Sequence, residues 1–335
     1  MRAGVSPAVV SYVLNPGTRP VSAAARRRIE DAIRELGYRP NAIAQALRRS
    51  STMSIGLMVP DLAYPTVAAL TRAIEDIAYD LGYVLFVGTV GDDEAREERY
   101  IRTYLDRQVD ALILIGAHSP SLLPTIGSHG VPTIVLDKIP REIGVSSITG
   151  NTVESAAAAV SHLIEVHGHT RIACVTGPAR TTGTVEERVA GWRTALEQAG
   201  LPADDGLIVR ADSFTRASGL TAATALLDTV KPTAFFVTTE VQAVGVISGI
   251  QTRGLQVPDD IAVISYDGSE LAARAFPGLT TVDPDITGAA ELTMSRLIAK
   301  LDKSDPSETH DIVPARLAIR GSCGCAAEHH TEDST

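Results

Sequence analysis

From Ser54 onward the hydrophobicity keeps changing period. SIGLMVP (54–60) is followed by TVAALTRAIEDIAYDLG (66–82), YVLFVGTV (83–90) by EAREERYIRTYLDRQ (94–108), and ALILIGA (111–117) leads on to VPTIVLD (131–137). Each short apolar run reads as a buried strand, and each longer stretch with apolar residues three and four apart reads as a helix. The pattern restarts with ESAAAAVSHLIEVHG (154–168), RIACVTG (171–177) and EERVAGWRTALEQAG (186–200). It continues through LIVRAD, SGLTAATALLDT, AFFVTT, VQAVGVISGIQTRG and IAVISYD. A helix between successive strands makes them parallel, and a parallel sheet needs cover on both faces. The prediction is an α/β body of two doubly wound halves, 53–150 and 151–282. A helix over 285–303 is expected to return to the first half. Residues 283–311 would then complete the first half and 312–322 the second. Ligands in such folds bind beyond the carboxyl ends of the strands, which places a site in the cleft between the halves.

Composition excludes several classes. No apolar run approaches the roughly 18 residues of a spanning helix, and no apolar segment follows basic residues at the N-terminus as in a secretory signal. The three cysteines, Cys174, Cys323 and Cys325, make no disulfide framework and suit a reducing, cytoplasmic compartment. Aromatic residues are only 4%, so the core is expected to be aliphatic. The polar end of the chain, 323–335, is expected to be a disordered tail.

Catalytic signatures are missing. Gly88-Thr89-Val90-Gly91 lacks the GK[ST] ending of a phosphate loop, and no G-x-S-x-G elbow occurs. We therefore expect neither an enzyme nor a bound cofactor. His162, His167 and His169 straddle a helix end, where histidine is ordinary. Cys323-x-Cys325 with His329-His330 has the composition of a ligand cluster, but in a floppy tail with one residue between the thiols. Neither group is assigned a metal.

Charge separates the chain into a basic head and an acidic body. Residues 1–50 hold nine arginines and three acids, a net +6. The remaining 285 residues hold 21 basic and 37 acidic side chains, a net −16. Such an imbalance suggests a polyanion partner for the head alone, or else chance clustering on a solvated helix. The head reads as short helices: PAVVSYVL behind Ser6, with Pro7 at the first helical position; AAARRRIEDAIRELG behind Ser22, stopped at Gly37; and NAIAQALRR (41–49). Ala3-Gly4-Val5-Ser6 leading into a helix reads as the turn and second helix of a helix-turn-helix. Val9, Val10, Val13 and Leu14 are assigned to its core.

Specific runs extend this pattern. AGVSPAVVSYVLN (3–15), LGYRPNAIAQAL (36–47), SIGLMVPDLAYP (54–65), VDALIL (109–114), VPTIVLDK (131–138), HTRIACVTGP (169–178), EERVAGWRTAL (186–196), VPDDIAVISYD (257–267) and PGLTTV (277–282) occur in this order. Together they resemble the LacI/GalR family of transcriptional regulators over essentially the whole chain. The resemblance implies a helix-turn-helix headpiece (1–40), a hinge helix and linker (41–52), and a body of the periplasmic-binding-protein type. It implies a cytoplasmic homodimer on a pseudo-palindromic operator, with a small sugar-like effector in the cleft. Pro7, Ala8 and Tyr12 match positions facing base edges, where Pro7 and Ala8 offer only apolar contact. Ser6, Ser11 and Asn15 match phosphate or base-edge binders. In the hinge, Leu47 matches a minor-groove wedge, Asn41 and the small Ala44 flank it, and Arg48 and Arg49 would meet phosphates. In the cleft, Arg188 and Asp267 match effector-binding positions, and an arginine fork beside a carboxylate suits vicinal hydroxyls. Phe214 matches a stacking aromatic.

There are departures. Tyr64-Pro65-Thr66-Val67, Asn151-Thr152 and Thr239-Glu240 replace the family's usual residues, so Thr66 and Thr239 are candidate effector contacts of altered chemistry. The first helix of the helix-turn-helix is represented only by Met1-Arg2-Ala3, and its loss would uncover apolar faces. We expect a start upstream of Met1. The alternative is an effector-binding dimer that has lost DNA recognition through truncation. A solute-binding protein of the periplasmic type would share the body, but not the basic head.

Overall fold

The computed structural model describes residues 4–14, 19–38, 46, 51–91, 93–116, 119, 122–178 and 183–326. The chain divides into two units, Met1–Thr52 and Met53–Thr335.

In the first unit, α1 (Pro7–Leu14) begins where the amides of Val9 and Val10 donate to the Ser6 carbonyl, at 3.0 and 3.3 Å. Pro7 has no amide proton to leave unpaired there. The second helix, α2 (Ala23–Leu36), is capped by the Ser22 hydroxyl, which accepts from the Ala25 amide at 3.3 Å. It stops at Gly37 with φ +56°, a left-handed conformation that glycine adopts without strain. Val13 and Ile29 are buried, while Val9 and Val10 are only half-buried. Of the expected third helix over 41–49 only Ala46 is described, and it is helical; Asn15, Asn41, Ala44, Leu47 and Arg48 lie outside the described residues.

The second unit alternates strand and helix almost throughout. β1 (Ser54–Val59), α3 (Pro65–Asp80), β2 (Val84–Thr89), α4 (Glu94–Asp106), β3 (Ala111–Ile115), α5 (Leu122–Ser128), β4 (Thr133–Leu136) and β5 (Ser146–Gly150) build one lobe. A second lobe follows with α6 (Thr152–Glu165), β6 (Ile172–Thr176), α7 (Thr184–Gln198), β7 (Ile208–Arg210), α8 (Arg216–Thr229), β8 (Ala234–Val237), α9 (Glu240–Thr252), β9 (Ala262–Tyr266), α10 (Glu270–Arg274) and β10 (Thr280–Asp283). The chain then returns through α11 (Ile286–Leu301) and β11 (His310–Val313) to the first lobe, and ends on the second with β12 (Arg316–Ala318). The sheet orders are β11-β5-β4-β3-β1-β2 and β12-β10-β9-β8-β6-β7. All neighbours are parallel except β12, which runs antiparallel to β10.

Successive strand residues face opposite sides, so each sheet has two cores. In the first lobe Ile55, Leu57 and Ile113 meet Ile74 of α3 and Met294 of α11, so the helix predicted at 285–303 does pack on this lobe. Met58, Leu112 and Leu114 meet Ile101 and Tyr104 of α4 on the other side. In the second lobe Cys174 and Phe236 pack with Trp192, while Val175 and Phe235 pack with helices α8 and α9. Between the lobes the chain passes at 150–152, 283–286 and 313–316. These passages touch: the Ala315 amide donates to Asn151 Oδ1 at 2.8 Å, and Arg316 pairs with Asp283 at 3.4 Å.

Two expectations need correction, and one strand, β5, is not among those read from the sequence. β2 is not buried: Val84, Phe86 and Val87 are exposed, because an edge strand has one flank with no neighbour. β5, SSITG, carries no apolar run, yet its serines are buried and bonded across to the chain near His310. The tail is not loose from Cys323: residues 321–323 form a 3-10 turn, Cys323 is 1% exposed, and Cys325 packs on the second lobe's core. Ser322 anchors that turn by accepting from the Thr280 amide and donating to the Val263 carbonyl, at 2.8 and 2.6 Å. Residues 327–335 lie outside the described residues.

Candidate functional site

The carboxyl ends of both sheets meet across the cleft. From the second lobe, Arg188 on α7 reaches the end of β9. Its Nη1 is 2.8 Å from Asp267 Oδ1 and donates to the Thr238 carbonyl at 2.6 Å. The guanidinium lies 3.9 Å from the centroid of the Tyr266 ring, a cation–π arrangement. The Tyr266 hydroxyl is in turn 3.0 Å from Ser155 Oγ. The arginine is thus held in position, and only 11% of its side chain is exposed. Its Nε is buried with no hydrogen-bond partner among the described residues. A buried donor in that state is costly and is satisfied by a ligand oxygen or a water.

Asp267 has φ +106°, in the left-handed region that a residue with a side chain rarely adopts. Its amide donates to the Val282 carbonyl at 3.0 Å, which holds the turn, and its carboxylate stays 17% exposed. Strained backbone that persists at a cleft is characteristic of functional sites.

The first lobe supplies the facing wall. Thr66, in the first turn of α3, has its hydroxyl 3.5 Å from the Asp267 carbonyl, so Thr66, Arg188 and Asp267 converge. Phe214 contacts Tyr64 instead, edge to face with centroids 6.0 Å apart. A methyl on Gly177 would overlap the Phe214 ring, so glycine is what lets the ring lie there. Tyr64 and Asp61 of the first lobe and Phe214 and Arg216 of the second line a cavity of about 350 Å³. Thr239 lies at the N-terminal end of α9. It caps α9, accepting from the Gln242 amide at 3.4 Å and donating to Gln242 Oε1 at 3.0 Å.

Other rim residues carry no motif that singled them out. Asp137, buried at the end of β4, accepts from Thr184 Oγ1 across the cleft at 2.9 Å. Lys138 pairs with Glu187 at 2.7 Å, and that hydrogen bond holds its ammonium above the ordinary lysine value. Gln242, fully buried, donates to the carbonyls of Thr176 and Ser213 and so fixes the Phe214 loop. Glu240 accepts from the amide and hydroxyl of Ser269, and burial pushes its carboxyl up despite those bonds. The rule that sites lie at strand carboxyl ends points to Asp137 and Tyr266, which also fall in the runs VPTIVLDK and VPDDIAVISYD.

In the head, Ser6, Pro7 and Ala8 are exposed at the start of α1, and Ser11 and Tyr12 are half-buried. Arg19 lies 5.9 Å from the Tyr12 ring centroid. No helix among the described residues is long and apolar enough to cross a membrane.

Comparison with known proteins adds the following. Residues 1–41 match the model of bacterial regulatory proteins, lacI family, and residues 160–323 that of a periplasmic binding protein-like domain. The ribose operon repressor of Escherichia coli (strain K12) is 36% identical over 323 residues, 96% of this chain and 97% of that protein. Catabolite control protein A of Priestia megaterium is 33% identical over 322 residues, 96% of each chain. Among solved structures, a lac repressor dimer bound to operator and the anti-inducer ONPF superimposes with a TM-score of 0.85 at 27% identity, covering 96% of both chains. A LacI family regulator from Enterococcus faecium with bound ribose has a TM-score of 0.73 at 25% identity, covering 80% of this chain and 98% of the other.

Proposed function

This chain belongs to the LacI family of bacterial regulatory proteins, and on that premise we propose that it is a cytoplasmic repressor that binds a pseudo-palindromic operator as a homodimer and is controlled by a sugar in its cleft. The observation that carries the effector assignment is the Arg188–Asp267 pair with its unpartnered buried Nε. A sugar's neighbouring hydroxyls satisfy such a pair, since each both donates to a carboxylate and accepts from a guanidinium. Tyr266 already occupies one face of the guanidinium, which leaves its edge for the ligand. Similarity to a ribose operon repressor and to a ribose-bound regulator favours a pentose or a derivative of one. No catalytic step is needed.

Ligand and DNA couple through the angle between the lobes. Residues from both sides meet at Thr66–Asp267 and Asp137–Thr184, so a ligand bound there prefers one angle. The hinge segment 41–52 reads that angle, ordering or releasing Leu47 at the minor groove. The basic head supplies the phosphate contacts, and Ser6, Pro7 and Ala8 are the exposed residues at the leading end of α1.

Ribose and a panel of related sugars are to be screened by thermal shift. Asp267→Ala is expected to abolish the shift given by the active sugar while circular dichroism stays unchanged. An unaltered shift removes Asp267 from the site. Leu47→Ala is expected to weaken operator binding in a fluorescence-anisotropy titration and to leave the sugar shift intact. Equal operator affinity in parent and variant ends the wedge assignment.

A further inference from the structure

We propose that His162, His167, Cys323 and Cys325 form a structural zinc site that fastens the end of the described chain to α6. One ligand atom from each of the four lies within 4.8 Å of the others. Cys325 Sγ is 3.5 Å from His162 Nε2 and 3.3 Å from His167 Nε2. A tetrahedral zinc ion, with bonds of about 2.3 Å to sulfur and about 2.05 Å to nitrogen, sets neighbouring sulfur and nitrogen about 3.6 Å apart. Cys325 and the two imidazoles therefore already have the spacing of a coordination shell.

Local structure explains how four residues so far apart in sequence converge. α6 ends at Glu165, and Gly168, at φ +71°, closes the helix end with its amide on the Ile164 carbonyl at 3.0 Å. That closure leaves His162 in the last turn and His167 just past it, with rings edge to face and centroids 5.1 Å apart. At the other end of the chain, the 3-10 turn ends in Gly324, which has φ +103°. A side chain there would be strained, and its Cβ would sit 3.2 Å from His167 Nδ1. Glycine between the two cysteines thus permits both the bend and the approach of the imidazole.

The donor set selects the ion. Two thiols and two imidazoles suit zinc, whereas magnesium and calcium take oxygen. Four protein ligands close the tetrahedron, the arrangement of a structural site, and Cys323 is 1% exposed. Thr280 Oγ1 lies 3.2 Å from Cys323 Sγ, within donating distance of a thiolate. Neither Cys323 nor Cys325 is in a disulfide. The remaining cysteine, Cys174, is a core residue whose thiol burial pushes up to about 12. His169 is turned away: its Nδ1 is 3.1 Å from Thr233 Oγ1. The ligands are thus drawn from both clusters that the sequence suggested separately, and without His169.

Full-length protein, reduced and stripped of metal by a chelator, is to be titrated with Zn²⁺ against a chromophoric competitor and, separately, with Co²⁺ in the visible range. Expected results are one ion per chain, the d–d bands of tetrahedral Co²⁺ with thiolate charge transfer, and a higher melting temperature with Zn²⁺. Losing an outer-shell partner alone costs about 10–100-fold in affinity. The half-buried ligand variants Cys325→Ser and His167→Gln are therefore expected to weaken Zn²⁺ by at least about tenfold and to lose the Co²⁺ charge-transfer band. Substituting His329 and His330 by alanine is expected to change neither. Less than half an ion per chain, unchanged affinity in Cys325→Ser, or loss of binding in the His329/His330 variant overturns the site.

Discussion

The two lobes of the body share one strand order but use glycine for different purposes. In the first lobe Gly56 on β1 and Gly88 on β2 make room for rings. A Cβ on Gly56 would sit 2.8 Å from Tyr104 Cδ2, and one on Gly88 would sit 2.7 Å from Tyr100 Cδ1. In the second lobe, apart from Gly177 beneath the Phe214 ring, the tightest glycines are helical and make room for backbone. A methyl on Gly245 of α9 would overlap the Arg216 carbonyl oxygen, one on Gly219 of α8 the Gln242 carbonyl, and one on Gly191 of α7 the Val153 carbonyl. Helices that touch backbone to backbone leave little freedom to shift. These are also the helices that carry Arg188, Thr239 and Gln242. The helices of the second lobe are therefore fixed by backbone contact, whereas the ring contacts of the first lobe can give.

The lobes also differ at their free edges. β7 ends in Arg210, which makes a bidentate pair with Glu186 at 2.6 and 2.8 Å. β2 instead exposes Val84, Phe86 and Val87 beside Tyr79 and Leu81. An apolar edge of that kind fits a protein–protein face, and the proposed homodimer predicts that it meets a second copy.

Three experiments probe this asymmetry. The largest effect is expected for Gly245→Ala, which sets a methyl against an immobile carbonyl. It should cost about 3 kcal/mol in denaturant unfolding, clearly more than Gly56→Ala, where a ring can give. Equal costs for the two would remove the distinction between the lobes. Next, Phe86→Asp should shift sedimentation from dimer toward monomer while leaving secondary structure intact. A dimer of unchanged affinity would move the interface elsewhere. The smallest effect concerns the ion pair that holds β11 to α11 in the first lobe, Arg296 with Asp311, bonded at 2.9 Å through both oxygens. That hydrogen bond holds the Asp311 carboxyl below its ordinary value. A depressed folded value means the unfolded chain binds more protons. The pair's stabilisation is then present above the usual aspartate range and lost as pH falls through the folded value. Asp311→Asn should lower the melting temperature slightly at pH 7 and match the parent in acid.

Much of the body was legible from period alone, because buried parallel strands and amphipathic helices differ sharply in spacing. What escaped did so for identifiable reasons. SSITG has no apolar run, and its serines are buried only because partners elsewhere in the chain satisfy their hydroxyls. β2 reads like any buried strand, and its edge position is a property of sheet order that local sequence does not carry. Arg188 and Asp267 are unremarkable in isolation and stood out only through the family resemblance. Thr239, chosen on the same basis, turns out to spend its hydroxyl on a helix cap. The histidines of α6 and the cysteines near the C-terminus were each visible, but local composition could not show that they meet.

The three interlobe passages, bonded to one another through Asn151–Ala315 and Arg316–Asp283, have a mechanical meaning. A single tether would let the lobes swing and twist freely. Three adjacent strands act like pins along one hinge line and leave a single easy rotation. Displacement then grows with distance from that line. A closure too small to disturb the contacts near Asp283 becomes a much larger movement at the far end of either lobe. The lever is contained in the chain path itself, and a ligand of the proposed kind would have only to favour one angle.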